Sequence, residues 1–297
     1  MVSIHGYELI TPMTDQNAGM SQWCYAKKNG KDYFLKRYMV HYPFNEDDTP
    51  MNQKVKKECL LMEKKYAAFY KKINDCAKGH VVRVEEYFRS GSDYYIVMER
   101  IFSVDESFED LQKRPLKERL LLCKTLAYGV MCLHEHGIVH ADLKKENILL
   151  VKTKNNHLAT KIIDYDEGFL ESNPPNDPDA LCGDPVYFAP ESLLFINGET
   201  DTVNAKIDIF AMGLIMHQYI TGELPSFSKE YSYPCEVIAN NGKLEVSRSL
   251  GRPYRTIIEK MLTKDPNDRY NARQVLEKLN NPSFFYIPNN TVQANCQ

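Results

Sequence analysis

The chain has 297 residues, of which 43% are hydrophobic and 26% are charged, as in an ordinary globular protein. This length exceeds one minimal core and suits two lobes or one large domain. The formal net charge of −3 excludes a broad basic field for nucleic acid or acidic lipid, so a partner must be inferred from a specific site.

The first hundred residues predict a small sheet that carries one main helix. Strand-like runs at 22–28 and 32–38 flank an Asn-Gly pair, which is a strong hairpin signal. Over 52–73, apolar residues recur at spacings of three and four, which is the period of an α-helix. Two more strand-like runs follow, VVRVEEYF and YYIVMER.

Beyond residue 100 the sequence becomes mostly helical, without a long linker. An apolar helical face over 117–136 ends at Gly137, a typical helix terminator. Two short strands, NILLVK and HLATKIID, precede a proline-rich loop at 171–179. Further helices are predicted near 205–221, 253–263 and 271–279.

The sequence lacks the patterns of a secreted or membrane-spanning protein. Its eight cysteines are scattered without a C-x-x-C pair, as in a reducing compartment. The N-terminal residues have neither the basic start nor the continuous apolar run of a secretion signal. The longest apolar stretch, 207–220, contains polar residues and is shorter than a bilayer requires. We therefore expect a cytoplasmic protein that binds neither nucleic acid nor membrane.

A charged motif, HADLKKEN at 140–147, lies between two apolar runs. It resembles the catalytic loop of eukaryotic-type protein kinases, H-R-D-L-K-x-x-N, and departs from that pattern at Ala141. The resemblance implies that Asp142 orients the attacking hydroxyl and accepts its proton. It also implies that Lys144 neutralises charge on the transferring phosphoryl group and that Asn147 binds Mg²⁺.

Other motifs of this family occur in the expected order across nearly the whole chain. Asp164, in KIIDYDEG, matches the D-F-G aspartate, which would join Mg²⁺ to the phosphates. GDPVYFAPE at 183–191 resembles the end of an activation segment. Asp208 resembles the aspartate that braces the catalytic loop, and Arg269 the arginine that pairs with Glu191.

The same resemblance implies the nucleotide site. Lys36, in YFLKRY, matches the lysine that holds the α- and β-phosphates. Its partner on the predicted helix is Glu63, which leaves the shorter insertion before the next strand, with Glu58 as the alternative. The gatekeeper, the hinge and the floor of the adenine site are, in that order, Met98, Glu99 to Ile101, and Leu149.

The phosphate-binding loop and the adenine site depart from the family pattern. The three glycine positions of G-x-G-x-x-G hold Gln16, Ala18 and Ser21. Gly19 alone remains to let the backbone approach a phosphate closely. Trp23 and Phe34 occupy two positions above the adenine that usually carry smaller side chains. Either the pocket is reshaped or ATP is crowded out.

The activation segment departs from the pattern as well. Ala141 replaces the arginine that reads a phosphate, Asp184 replaces the usual threonine, and Ser172 is the one non-tyrosine hydroxyl within 165–190. These changes predict an activity that does not need activation-loop phosphorylation. Asp166 replaces the D-F-G glycine and adds a second carboxylate, for which the sequence suggests no role.

The resemblance implies the α+β, two-lobed protein-kinase fold. Residues 1–100 would form a small β-rich, nucleotide-binding N-lobe, and 101–285 a larger, mostly helical C-lobe for catalysis and substrate binding, followed by a tail at 286–297. The implied activity is transfer of the ATP γ-phosphate to a serine or threonine of a protein substrate. ATP and Mg²⁺ are the expected cofactors, with Mn²⁺ as an alternative metal.

Two other functions compete with this one. A pseudokinase scaffold is favoured by the glycine-poor loop and by Trp23 and Phe34, but it has no need for the base and both metal ligands. A kinase for small molecules shares those groups, yet it lacks the A-P-E segment that this chain carries at 189–191. The oligomeric state and the identity of the substrate are left open by the sequence.

Overall fold

The computed structural model describes residues 2–16, 21–38 and 49–281. They form the predicted two lobes, a sheet-rich N-terminal lobe with one main helix and a helical C-terminal lobe. Gly19 and Ala18 of the predicted phosphate loop lie outside the described residues, as does the predicted tail at 286–297.

The N-terminal lobe is built on an antiparallel sheet. Its strands are β1 (Ser3–Ile4), β2 (Tyr7–Leu9), β3 (Ser21–Lys28), β4 (Lys31–Tyr38), β5 (Val84–Ser90) and β6 (Asp93–Glu99). Their order is β1-β2-β3-β4-β6-β5. The predicted hairpin is confirmed, because β3 and β4 are joined at Asn29 and Gly30. Both turn residues have positive φ, 52° and 77°, as a two-residue hairpin turn with the twist of the strands requires.

The two faces of this sheet carry different kinds of residues. Cys24, Leu35 and Val97 are fully buried in a small core on one face. Side chains alternate along a strand, and residues opposite each other in register share a face. Lys36 is paired with Trp23, and Phe34 two residues away is paired with Met98, so all four lie on the other face. That face looks onto the cleft between the lobes.

One helix, α1 (Pro50–Cys76), packs against β5. It begins two residues before the predicted start at 52, because Thr49 caps it by accepting from the Asn52 amide and Pro50 preorganises the first turn. Phe69, Tyr70 and Ile73 of its C-terminal half are buried, whereas Leu60 and Leu61 of its N-terminal half are exposed.

The C-terminal lobe is mostly helical. Its helices are α2 (Phe108–Lys113), α3 (Leu116–Glu135), α4 (Pro190–Ile196), α5 (Lys206–Thr221), α6 (Pro234–Ala239), α7 (Arg252–Met261) and α8 (Ala272–Asn280). Residues 207–220 of α5 are all buried, against α2, α3 and α7. This explains an apolar stretch that carries polar residues: Asp208, His217 and Gln218 each hydrogen-bond to another part of the lobe. None of the helices in the described part of the chain is both long enough and apolar enough to cross a membrane.

Two small antiparallel sheets position the catalytic motif. β7 (Ile138–Val139) pairs with β10 (Phe169–Leu170), and a second pair lies between them in the sequence. That pair is β8 (Ile148–Lys152) and β9 (Leu158–Ile162). The HADLKKEN motif connects β7 to β8, and the KIIDYD motif connects β9 to β10. The two motifs are therefore brought side by side, with the Ile163 amide bonded to the Asn147 carbonyl at 2.9 Å.

The lobes are joined by backbone pairing as well as by the connecting chain. The predicted strand VVRVEEYF begins at residue 81, but β5 begins only at Val84. The residues before Val84 hydrogen-bond to β9 instead of to the N-terminal sheet. The Val82 amide donates to the Ile162 carbonyl and the Ile162 amide donates to the His80 carbonyl, both at 2.9 Å. The division expected near residue 100 falls between the end of β6 and the start of α2.

Candidate active site

The Asp142 carboxylate is held by three donors. Lys144 Nζ lies 2.6 Å from Oδ2, Asn147 Nδ2 donates to the same oxygen at 2.9 Å, and the Asp184 amide donates to Oδ1 at 3.2 Å. Burial lowers the pKa of Lys144, but the hydrogen bond and the charge of Asp142 raise it by more than burial lowers it. The pKa of Lys144 therefore lies above its usual value. The side chain expected to act as the base is thus fixed in direction and balanced by a cation.

The backbone of this loop is braced from beneath by Asp208 on α5. Its carboxylate accepts from the amides of His140 at 2.8 Å and Ala141 at 2.9 Å, and His134 Nε2 lies 2.9 Å from Oδ2. Burial alone would raise the pKa of Asp208, but the His134 bond and charge hold it below its usual range. Ala141 has a φ of 66°, a strained value for a residue other than glycine, and these bonds stabilise it.

A second charged cluster lies where β4 meets the KIIDYD motif. Lys36 Nζ is 3.0 Å from both carboxylate oxygens of Asp164 and 2.6 Å from Oδ2 of Asp166. The Tyr38 hydroxyl donates to the other oxygen of Asp166. The structure therefore brings Lys36 and Asp164 together, and it adds Asp166, whose role the sequence did not suggest.

The pKa values of the two aspartates move in opposite directions. Burial raises the pKa of Asp164, yet the charge and hydrogen bonds of Lys36 outweigh this and hold it below its usual range. Burial and the charge of Asp164 raise the pKa of Asp166 to about 6. Burial lowers the pKa of Lys36, but the charges of Asp166 and Asp164 raise it more. The lysine is thus a firmly protonated cation between two unlike carboxylates.

The expected pair between Lys36 and Glu63 is not formed. Glu63 accepts from the Tyr94 hydroxyl at 3.0 Å and lies 3.6 Å from Arg89 Nε. The alternative, Glu58, is exposed, with Lys54 4.0 Å away. The physical reason is the length of α1: Glu63 lies at its midpoint, seven residues or roughly two turns before Tyr70, which belongs to the buried part near Lys36.

The residues of the expected adenine site lie on β6, on the segment that follows it and on β8. Met98 is buried on the Lys36 face of the sheet, and Glu99 follows it at the end of β6 with its carboxylate bonded to Lys161. Leu149 lies opposite Lys161 in the β8–β9 pair, beneath this hinge. Ile101 is partly buried and packs against the main core.

Aromatic rings lie beside Met98 on the same face of the sheet, because Phe34 is its cross-strand neighbour. Trp23 stacks on Phe34 with ring centroids 5.3 Å apart, and its indole N–H donates to the Gln16 carbonyl at 2.8 Å. Tyr25 packs against both rings, and the Arg100 guanidinium lies 3.9 Å from the Tyr25 ring centroid. We call Trp23, Tyr25 and Phe34 the aromatic roof.

The activation segment is folded against the catalytic loop. Besides donating to Asp142, Asp184 accepts from the Val186 amide at 2.9 Å. Tyr187 donates to Gln218 of α5 at 3.0 Å. The expected pair between Arg269 and Glu191 is bidentate, at 2.6 and 2.7 Å.

The oxygen donors near these clusters suit Mg²⁺. Asn147 uses its amide nitrogen to hold Asp142, so the amide oxygen is the atom that it can offer to a metal. Within the described ranges no group of three or more His, Cys, Asp and Glu side chains is arranged to hold a metal. Mg²⁺ at a phosphate site is typically held by one or two side chains, with phosphates and water completing the octahedron. Asp164 and Asn147 fit that requirement.

Comparisons with known proteins agree with this geometry. The family model described as protein kinase domain matches residues 24–279. Serine/threonine-protein kinase ULK3 of Homo sapiens is 30% identical over 195 residues, which cover 64% of this chain and 39% of that protein. The ovarian-specific serine/threonine-protein kinase Lok of Drosophila melanogaster is 30% identical over 202 residues, which cover 66% of this chain and 39% of that protein. A probable myosin light chain kinase of Dictyostelium discoideum is 27% identical over 219 residues, which cover 67% of this chain and 64% of that protein. The match thus spans less than half the length of ULK3 and of Lok.

Proposed function

Because the chain belongs to the protein kinase family, we propose that it transfers the γ-phosphate of ATP to a serine or threonine hydroxyl of a protein. The observation that carries this proposal is the three-donor setting of Asp142 beside Lys144 and Asn147. A carboxylate held in this way can orient a hydroxyl and accept its proton. ULK3 of Homo sapiens and Lok, which are each 30% identical, are both named serine/threonine-protein kinases.

The remaining residues divide the work of phosphoryl transfer. Lys36 would hold the α- and β-phosphates, and Lys144 would neutralise charge on the transferring group. Asp164 and Asn147 would hold Mg²⁺, which balances the negative charge that develops on the phosphate oxygens. The hinge at Glu99 and Ile101, with Met98 and Leu149, would enclose the adenine. Gly19 belongs to the proposed phosphate loop.

The proposed activity does not depend on phosphorylation of the activation segment. Ala141 offers no guanidinium to a phosphate, and the Asp184 amide already holds the Asp142 carboxylate. The segment is also anchored by Tyr187 and by Glu191. Replacing Ser172, which is exposed, with alanine should therefore change kcat by less than about threefold. A loss of tenfold or more would contradict this part of the proposal.

The setting of the chain supports a protein substrate in the cytoplasm. Lys144, two residues after the base, favours a protein hydroxyl. The cysteines of the described residues are all free thiols, as in a reducing compartment.

A pseudokinase scaffold is the second candidate, because the aromatic roof fills space above the expected adenine. The discriminating measurement is transfer of labelled γ-phosphate from ATP with Mg²⁺ or Mn²⁺ to a generic protein substrate. Asp142→Asn should lower the rate by roughly 10²- to 10⁴-fold, the usual contribution of a general base. Asp201→Asn, which changes an exposed aspartate, is the matched control and should leave the rate unchanged.

Nucleotide binding separates the two candidates. Trp23 is the single tryptophan of the chain and belongs to the aromatic roof, so bound ADP should change its fluorescence. Transfer that disappears in Asp142→Asn supports the enzyme. A folded chain that neither transfers phosphate nor changes its fluorescence with ADP supports the scaffold.

A further inference from the structure

We propose that Asp166 is the carboxylate that positions Lys36 for the nucleotide, a task for which the sequence suggested Glu63. The inference rests on the proposed function, since a phosphate-holding lysine has a purpose only where a nucleotide binds. It gives a role to the residue that stands where the family has the D-F-G glycine.

The contacts of Asp166 fix its carboxylate from two sides. Oδ2 lies 2.6 Å from Lys36 Nζ, and Oδ1 accepts from the Tyr38 hydroxyl. The Lys36 side chain is only 8% exposed, so an ammonium at this place needs partners within the protein. Tyr38 lies two residues beyond Lys36 on β4 and shares its face of the sheet.

Helix α1 reaches this cluster through tyrosines. Tyr70, in its buried half, lies close to this cluster, where burial and the charge of Asp166 raise the pKa of its hydroxyl. The chain that follows Asp166 is packed tightly on the same helix, because a Cβ on Gly168 would lie 2.9 Å from the Phe69 ring. Helix α1 therefore approaches Lys36 through Tyr70 and through the segment that carries Asp166, and among its described side chains no carboxylate forms an ion pair with Lys36.

Asp164 cannot fill this role alone, although it also touches Lys36. Asp164 is the residue whose carboxylate is expected to hold Mg²⁺, and oxygens committed to a metal are lost to the lysine. Asp166 has one oxygen occupied by Tyr38 and the other on Lys36. It can therefore keep the ammonium in place while Asp164 serves the metal.

The first test compares Asp166→Asn with Glu63→Gln. Both changes replace a carboxylate by an amide of the same size, so Glu63→Gln is the matched control. Removing a hydrogen bond to a charged group should lower kcat/KM for ATP roughly 10- to 100-fold in Asp166→Asn. Glu63→Gln should change it by less than about threefold. The reverse pattern, or equal small effects, would overturn the proposal.

A metal-binding role for Asp166 is separated by titrating Mg²⁺. A variant that has lost a metal ligand recovers its rate at high Mg²⁺, whereas a variant with a misplaced lysine does not. The loss in Asp166→Asn should persist at saturating Mg²⁺. Full recovery would make Asp166 a metal ligand and reject the positioning role.

A measurement without nucleotide or turnover completes the test. In ¹⁵N-lysine-labelled protein, the ammonium signal of Lys36 is identified by its absence in Lys36→Met. That signal should shift in Asp166→Asn and stay in place in Glu63→Gln, provided that circular dichroism shows both variants folded. An unshifted signal in Asp166→Asn would overturn the proposal. If the signal shifts but the parent chain transfers no phosphate, the contact stands and the proposed enzymatic function fails.

Discussion

At the scale of single residues, Asp164 and Asp166 show how position sets chemistry. They are two residues apart and touch the same lysine, yet the pKa of Asp164 lies below its usual range and that of Asp166 is raised to about 6. Pairs of acids whose surroundings separate their pKa values usually have different tasks. Here the more acidic partner suits a metal and the other suits a hydrogen-bonded structural contact.

Gly183 offers a residue-scale prediction about Asp142, the proposed base. Its φ is 146°, and a Cβ there would lie 2.8 Å from the Phe188 ring and 3.2 Å from Asp142 Oδ1. Gly183→Ala should therefore displace Asp142 and lower kcat by at least roughly tenfold, because misplacement of a catalytic group by about 1 Å costs up to 100-fold.

The control for this prediction is Gly198→Ala. Gly198 also has a positive φ, 71°, but a Cβ there meets nothing within 4 Å. This variant should lose roughly 1 kcal/mol of stability and keep its kcat. Equal kcat values for the two variants, measured alongside thermal unfolding, would show that the space beside Asp142 is not critical.

The site could be predicted from the sequence where it is local. Asp142, Lys144 and Asn147 lie within six residues, so their spacing alone brings them together. The partner of Lys36 could not be chosen in this way, because it depends on which turn of α1 faces the cleft. The glycine-to-aspartate change at 166 was visible, but only the fold shows which group it meets.

At the scale of elements, α5 joins distant parts of the C-terminal lobe through its buried polar residues. Asp208 near its start holds the catalytic loop, and Gln218 near its end holds Tyr187 of the activation segment. The Ser247 amide donates a hydrogen bond to His217 Nε2 at 3.1 Å, and His217 Nδ1 lies 2.7 Å from the Glu223 carbonyl oxygen. These bonds describe a neutral ring with its proton on Nδ1.

His217 should make the stability of the lobe depend on pH. Burial holds the pKa of His217 below its ordinary value of 6.5, so the unfolded chain binds this proton more readily than the folded chain. The stability from the neutral ring is present above pH 6.5 and is lost as the pH falls from 6.5 through the lower folded pKa. His217 contributes at most about 1.4 kcal/mol per pH unit to the slope of the free energy of unfolding against pH.

Urea unfolding at pH 7.5 and pH 5.5 measures this effect. The free energy of unfolding should fall less between these two values in His217→Gln than in the parent. His157→Gln, which changes an exposed ring, should behave like the parent. An unchanged pH dependence in His217→Gln would show that this imidazole does not titrate in that window.

Long periodic elements were predictable, and short ones were not. The helices α3, α5, α7 and α8 lie within a few residues of the apolar patterns that predicted them. The short elements β1, β2, α2, α4 and α6 were missed because two to seven residues give no measurable period. Their positions are set by tertiary contacts, such as the antiparallel pairing of β2 with β3.

At the scale of the whole molecule, the cleft is closed at its back by bonds between the lobes. The Tyr165 hydroxyl lies 3.0 Å from the carbonyls of Val82 and Ile162, at the place where the chain before β5 pairs with β9. Lys161 of β9 bonds to Glu99 at the hinge. Lys36 reaches across the front of the cleft to Asp164. A ligand between the lobes would therefore stabilise both of them.

Magnesium and ADP should raise the thermal stability of the entire chain. At 100 times its dissociation constant, a ligand that binds only the folded state adds about 2.7 kcal/mol. The melting temperature should rise with Mg²⁺ and ADP together, and much less in Asp164→Asn, which lacks one of the proposed metal ligands. A parent chain that melts at the same temperature with and without Mg²⁺ and ADP would contradict nucleotide binding in this cleft.

The aromatic roof also bears on how the cleft selects synthetic inhibitors. A ring system bound beside Met98 would meet the stacked rings of Trp23 and Phe34 instead of small aliphatic side chains. Planar, electron-poor heterocycles gain from offset stacking on such faces, by about 0.5–1.5 kcal/mol beyond the area that they bury. Bulky, three-dimensional compounds need space that the rings of Trp23 and Phe34 already fill. Thin, flat compounds are therefore the ones expected to bind selectively to this protein.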